Sequence, residues 1–115
     1  MRTLSTLAAL SGAMAVAAGA FGAHGATAHA AEIVKTGAQY QLVHAVAALV
    51  AVRMSRGGPA WAFVIGALLF AGSLYALAIG APRWVGPVTP IGGAILIGGW
   101  LYLAWSTTRM VTKER

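Results

Sequence analysis

The chain has 115 residues, 59% of them hydrophobic and only 9% charged, so it has room for one domain and too little polar surface to cover that domain in water. The net charge is +6 and the isoelectric point near 11.0, but the eight basic residues stand singly at the ends of apolar runs. A nucleic-acid reader clusters them on one face among stacking aromatics, so that class is excluded, and with no cysteine so are a disulfide framework, a thiolate metal site and a redox thiol.

The expected fold class is all-α: one integral membrane bundle of four transmembrane helices over residues 1–115, with spans at about 4–23, 38–54, 60–79 and 91–107. The first run, Leu4 to Ala23, carries no charge. At a rise of about 1.5 Å per residue it crosses the roughly 30 Å hydrocarbon layer. Arg2, this run and Ala28-His29-Ala30 before Ala31 also imitate a secretory signal with an A-x-A cleavage site. The run is longer than the usual 7–15-residue signal core, and its removal would leave three spans with the termini on opposite sides, so retention is expected.

Between the first two spans, Glu32 and Lys35 are spaced i, i+3. Residues 26–37 therefore read either as an interfacial helix or as a lead-in that extends span two. The second span is the weakest, because its clean apolar part, Ala45 to Val52, is preceded by Gln39, Tyr40, Gln41 and His44. It crosses only where those groups are sheltered by protein or lie at the interface. Gly57, Gly58 and Pro59 precede the third run, Ala60 to Ile79. The linker from Gly80 to Pro90, with Pro82 and Pro87 inside it, is too proline-rich for regular helix, and Ile91 to Thr107 forms the fourth run.

With four spans, Arg2, Arg53, Arg56, Arg109, Lys113 and Arg115 fall on one side and only Lys35 and Arg83 on the other. The positive-inside bias places both termini in the cytoplasm. Trp61 and Trp105 then fall near the inner boundary, Tyr40 and Trp84 near the outer one, and Trp100 deeper in span four. Gly12 and Gly19, like Gly92 and Gly99, are seven apart and share a helical face, which makes these faces candidate helix contacts. Gly66-Ala67-Leu68-Leu69 with Gly72 and Tyr75 also echoes Gly93-Ala94-Ile95-Leu96 with Gly99 and Tyr102. Low-complexity apolar composition produces such echoes readily, and a true repeat is not expected.

The polar residues concentrate on the outer half: His24, Glu32, Gln39, Tyr40, Gln41, His44, Ser73 and Tyr75, with Thr89 before span four. Tyr40 and His44 share a helical face continued by Ala47, Ala48 and Ala51, a small-residue surface suited to the bundle interior. The structural reading, in which these groups hydrogen-bond across helices, is preferred. The functional one brings His24 and His44 together as metal ligands or a proton relay, with Glu32 or His29 as further ligands. No metal site and no cofactor are expected. An enzyme is not expected either, since two acidic residues, Glu32 and Glu114, leave acid–base chemistry almost nothing to use. Gly19 to Gly25 lacks the Lys-Ser/Thr of a phosphate loop.

Four segments carry a resemblance: Gly19-Ala20-Phe21-Gly22-Ala23-His24-Gly25, Thr36 through Ala45, Leu69-Phe70-Ala71-Gly72-Ser73-Leu74-Tyr75, and Gly86-Pro87-Val88-Thr89-Pro90-Ile91-Gly92-Gly93. In this order they resemble the small membrane proteins grouped as domain of unknown function 423, to which animal transmembrane protein 256 is similar. The resemblance implies four transmembrane helices and a bacterial inner (plasma) membrane location, and it brings no established activity. His24 and Tyr40 to Ala45 match the family's motifs, and Glu32 matches an acidic position. The first motif lies within the piece that signal cleavage would remove, which argues against cleavage. The expectation is thus an accessory subunit that packs in the bilayer against a larger membrane complex. The alternative is a small-molecule or metal binding or transport protein with an outward-facing polar pocket around His24, Tyr40, His44 and Tyr75. A homo-oligomer is compatible with either.

Overall fold

The computed structural model describes residues 1–24 and 27–114, with side chains through Arg109. Gly25, which ends the first motif, Ala26, and the side chains of Lys113, Glu114 and Arg115 lie outside the described residues. The chain forms four α-helices: α1 (Arg2–His24), α2 (Ala28–Arg53), α3 (Gly57–Ala78) and α4 (Val88–Glu114), with a short 3-10 turn at Arg83–Val85. Among the described residues three stretches are long and apolar enough to cross a membrane: α1, α3, and Arg83–Arg109, which contains most of α4. α2 is as long as the others, but Glu32, Lys35, Thr36, Gln39, Gln41 and His44 dilute its apolar character.

The helix ends show where local chemistry differs from the expected boundaries. α2 begins ten residues ahead of the expected start of span two, and the described part of 26–37 is continuous with it. Thr27 caps it, its side-chain oxygen accepting the Ala30 N–H at 3.3 Å. α3 starts at Gly57 and α4 at Val88, each with a proline in its first turn, Pro59 and Pro90. The Gly80–Pro90 linker is therefore shorter than expected. First-turn amides have no intrahelical acceptor, so a residue lacking an N–H costs little there.

α2 and α3 end on the same left-handed device. In α3 the left-handed residue is Gly80 (φ 98°); its N–H reaches Leu77 O and that of Ala81 reaches Ala76 O. In α2 it is Ser55 (φ 61°), with Ser55 N–H to Val52 O and Arg56 N–H to Ala51 O. This closes the last turn at a conformational cost of about 1–2 kcal/mol that glycine would avoid.

The helices pack in chain order, α1 on α2, α2 on α3 and α3 on α4, with a smaller contact between α1 and α3. Among the described residues α1 and α4 make no extended contact. The array therefore has α2 and α3 at its centre. The apolar core joins Leu4 and Ala8 of α1, Ala47, Ala48 and Ala51 of α2, Ala60, Phe63, Val64 and Ala67 of α3, and Leu96 of α4. Most of these side chains are alanine, so the helices approach closely and stability comes from backbone proximity more than from large side chains.

The glycines differ in how strictly they are needed. A Cβ on Gly92 would sit 2.5 Å from the Phe70 backbone nitrogen and 2.9 Å from Gly66 O. Only a wider separation of α3 and α4 would relieve it. A Cβ on Gly99 would meet the Phe63 ring at 2.9 Å, whereas Cβ atoms on Gly12 and Gly19 would lie 3.7 Å from Ala45 and Ala38. Within the echo, Gly72 faces open space while Gly99 packs on Phe63, so the two segments do not occupy equivalent places.

Gly92→Ala is expected to destabilise the array by about 1–3 kcal/mol through overpacking against backbone. Gly12→Ala should be neutral or stabilising by up to about 1 kcal/mol, because the new methyl fits and alanine favours helix. Unfolding of the purified chain in one fixed detergent, followed by far-ultraviolet circular dichroism, measures both. Equal losses from the two variants would show that the α3–α4 seam is not the tight one.

Candidate functional site

At the level of Gln41 the apolar interior gives way to a layer of hydrogen-bonded side chains. Gln41 lies on the α2 face that turns toward α1 and α3, and it is fully buried. Its Nε2 donates to Ser11 Oγ of α1 at 3.1 Å, and its Oε1 accepts from the Tyr75 hydroxyl of α3 at 2.7 Å. One carboxamide thus joins three helices. Ser11 is 4% exposed and belongs to the buried stripe Leu4, Ala8, Ser11, Ala15 and Gly22 of α1.

One turn further along α2, His44 joins the fourth helix. Trp100 Nε1–H of α4 donates to His44 Nε2 at 3.0 Å, and His44 Nδ1 lies 2.6 Å from Tyr40 O. An indole N–H only donates, so Nε2 must carry the lone pair and Nδ1 the proton, which it gives to the Tyr40 carbonyl. Both ring nitrogens of the neutral imidazole are then engaged. Around it, Phe63 lies 5.8 Å from the His44 ring and 4.8 Å from Trp100, and Tyr40 packs 4.8 Å from Phe70. Near the start of α4, Ser73 Oγ donates to Phe70 O and meets Thr89 Oγ1, tying the ends of α3 and α4.

The structure gathers some of the sequence-derived candidates and separates others. Gln41, Tyr75, His44 and Ser73 lie within the layer, and Tyr40 enters it through its carbonyl while half its side chain is exposed. His24, Glu32 and Gln39 are exposed. His24 closes α1 and His44 lies sixteen residues into α2, roughly 24 Å along its axis. The two histidines therefore do not form a pair. Among the described residues no three His, Asp or Glu side chains are grouped to hold a metal. Nor do His24, Tyr40, His44 and Tyr75 surround one space: Tyr75 borders a groove with Met14, Phe21 and Val34, while Glu32, Lys35 and Gln39 border another between α1 and α2, of about 400 Å³.

Chemically the layer is a lock. A proton relay needs groups that accept a proton at one atom and release it at another, and the carboxamide between Tyr75 and Ser11 is a poor one. The indole that meets His44 offers no acceptor at all. Ser11 is not singled out by the sequence, and Trp100 is placed by it deep in span four but not paired with His44. A lone serine in an apolar run names no partner thirty residues away, although its place on the stripe of small residues marks a buried face.

Gln41→Leu leaves the Tyr75 hydroxyl and Ser11 without their partner. It is expected to cost about 1–3 kcal/mol, and Tyr75→Phe less. The double variant should cost less than the sum by about 0.5–2 kcal/mol, read from the same detergent unfolding. Additive losses would show that the two side chains do not act through one bond.

Comparison with known proteins agrees with this membrane architecture. The model of the family described as "Protein of unknown function (DUF423)" matches residues 18–93. The "UPF0382 membrane protein" of Haemophilus influenzae is 41% identical over 112 residues, 89% of this chain and 90% of that relative. The "UPF0382 inner membrane protein YgdD" of Escherichia coli K12 is 38% identical over 87 residues, 70% of this chain and 66% of that relative. "UPF0382 membrane protein SH2409" of Staphylococcus haemolyticus is 47% identical over 51 residues, 44% of this chain and 42% of that relative. No solved structure matches the chain. With most of its length matched, the chain belongs to the family described as "Protein of unknown function (DUF423)" and is, like these relatives, a membrane protein.

Proposed function

We propose that this chain is a four-span protein of the bacterial inner membrane with both termini in the cytoplasm, acting as an accessory subunit that packs laterally against a larger membrane complex. The observation that carries this reading is the mutual satisfaction of the buried polar groups: Ser11, Gln41 and Tyr75 bond one another, and His44 is used by Trp100 and Tyr40 O. Interior polarity spent on joining helices is not available to a substrate. What remains for recognition is the outside, above all α4, whose span is 17% buried against 39% for α3.

Four spans follow if α2 crosses beside its neighbours. Its most polar buried side chains, Gln41 and His44, are sheltered between helices, the condition under which such groups are tolerated at membrane depth. Orientation is supported by the grouping of basic residues. Arg56 and Arg109 border one cleft, and Met1 packs beside Gly57 at the same end. Lys35 and Arg83 belong to the opposite end, and the more basic side is the cytoplasmic one.

The test is to tag the C-terminus, extract native membranes in a mild detergent, and identify by mass spectrometry what co-purifies in fixed proportion. A stoichiometric larger complex is the expected result, lost on Leu101→Arg in α4 while the isolated variant stays helical. A chain that emerges alone or only with itself would remove the accessory role and favour binding in the α1–α2 groove. Reporter fusions at each terminus check the orientation, and activity of a periplasm-specific reporter at either end would refute it.

A further inference from the structure

The basic end of the array holds a cleft of about 290 Å³, bordered by Arg56 and Gly58 at the start of α3 and by Tyr102, Trp105, Ser106 and Arg109 of α4. Two arginines border it. Arg109 lies over the Trp105 ring, 4.9 Å from its centroid. Arg56 is half-buried, and its Nε is fully buried with no hydrogen-bond partner among the described residues. A guanidinium N–H is costly to leave buried and unpaired, and no acceptor for this one is found among the described residues.

Among the described residues no carboxylate answers it. Of the two acidic residues, Glu32 lies in the second turn of α2 at the opposite end, and the Glu114 side chain lies outside the described residues. Positive charge is further concentrated by the start of α3, where Arg56 is the N-cap and no side chain caps the first turn. The cleft is also placed where apolar spans meet water. Trp61, Tyr102 and Trp105 are exposed at this level, and Leu101 is 67% exposed beside it, an aromatic and aliphatic border of the kind found at a headgroup boundary.

We infer that this cleft binds the phosphate of an anionic phospholipid headgroup, Arg56 and Arg109 gripping the phosphate oxygens while the acyl chains run along the exposed face of α4. A guanidinium presents its N–H groups in a fork that matches phosphate oxygens, and two arginines border this one cleft. The inference depends neither on a protein partner nor on which side of the membrane this end faces, so it stands or falls separately from the accessory role.

The full chain is reconstituted in bilayers of equal parts phosphatidylglycerol and phosphatidylcholine, released into mild detergent, and the lipids retained are counted by native mass spectrometry. Preferential retention of phosphatidylglycerol is expected. Arg56→Gln and Arg109→Gln should each weaken that preference about five-fold, and Arg83→Gln at the other end should leave it unchanged. Arg109 is exposed, so its replacement carries the test should Arg56→Gln fail to fold. Retention without preference, a preference that survives Arg109→Gln, or an equal loss from Arg83→Gln would overturn the site. Displacement of the lipid by millimolar inorganic phosphate would show a site for free phosphate and overturn the headgroup assignment.

Discussion

The architecture turns on one carboxamide. Gln41 is fully buried, out of reach of bulk solvent, and an amide left unpaired in an apolar interior costs several kcal/mol. Its two ends find partners on two different helices, a hydroxyl that accepts on α1 and a hydroxyl that donates on α3. The position of α2 relative to both neighbours is thereby set by groups whose alternative is expensive. Alanine and glycine contacts elsewhere in the core are close but weakly directional, since a row of methyl groups permits sliding by one helical turn at little cost. The bonds of Gln41 do not permit it, and the apolar core of Ala47, Ala48, Ala60 and Phe63 packs in the register they impose.

α4 is held differently. It touches α3 through a seam that admits no Cβ at Gly92, and it reaches α2 through Trp100 and His44. The histidine serves here because an imidazole can accept at one nitrogen and donate at the other, satisfying the indole and the Tyr40 carbonyl at once. Neither lysine nor arginine could accept from Trp100. Leucine would leave the indole N–H without this acceptor. The reading of His44 as a ligand or relay and its reading as a lock are therefore exclusive in this arrangement, because the lone pair a metal would need is the one that Trp100 uses.

Much of this was legible in the sequence, and the reasons for the rest are physical. Uncharged runs of 17–20 residues announce helices because lipid demands internal backbone hydrogen bonds, and α1, α3 and α4 follow them. The sequence leaves open whether residues 26–37 extend span two or form an interfacial helix, because mean polarity near Glu32 and Lys35 resembles a loop and the cap at Thr27 acts through a single hydroxyl. The sequence sets the starts of α3 and α4 too late because proline reads as a breaker, and Pro59 and Pro90 sit in the one turn where it breaks nothing. Gln41 and Tyr75 were visible as polar candidates. Their partnership was not, since it joins residues 34 apart through a fold that must be known first.

The two ends of the molecule solve their polarity in opposite ways. Toward the Tyr75 end, the buried side-chain donors and acceptors among the described residues are matched within the chain. At the basic end, two arginines and an uncapped helix start share a cleft with no acidic partner among the described residues. A chain with eight basic and two acidic residues cannot neutralise its own charge in pairs. In water that excess would be dispersed by solvent and salt. At a membrane boundary, with Arg56 Nε already out of water, the cheapest compensation is the anion that the bilayer surface holds at high local concentration. A headgroup gripped there holds the cleft at the level of the bilayer surface, and the close seam at Gly92 carries α3 and α4 to that level together.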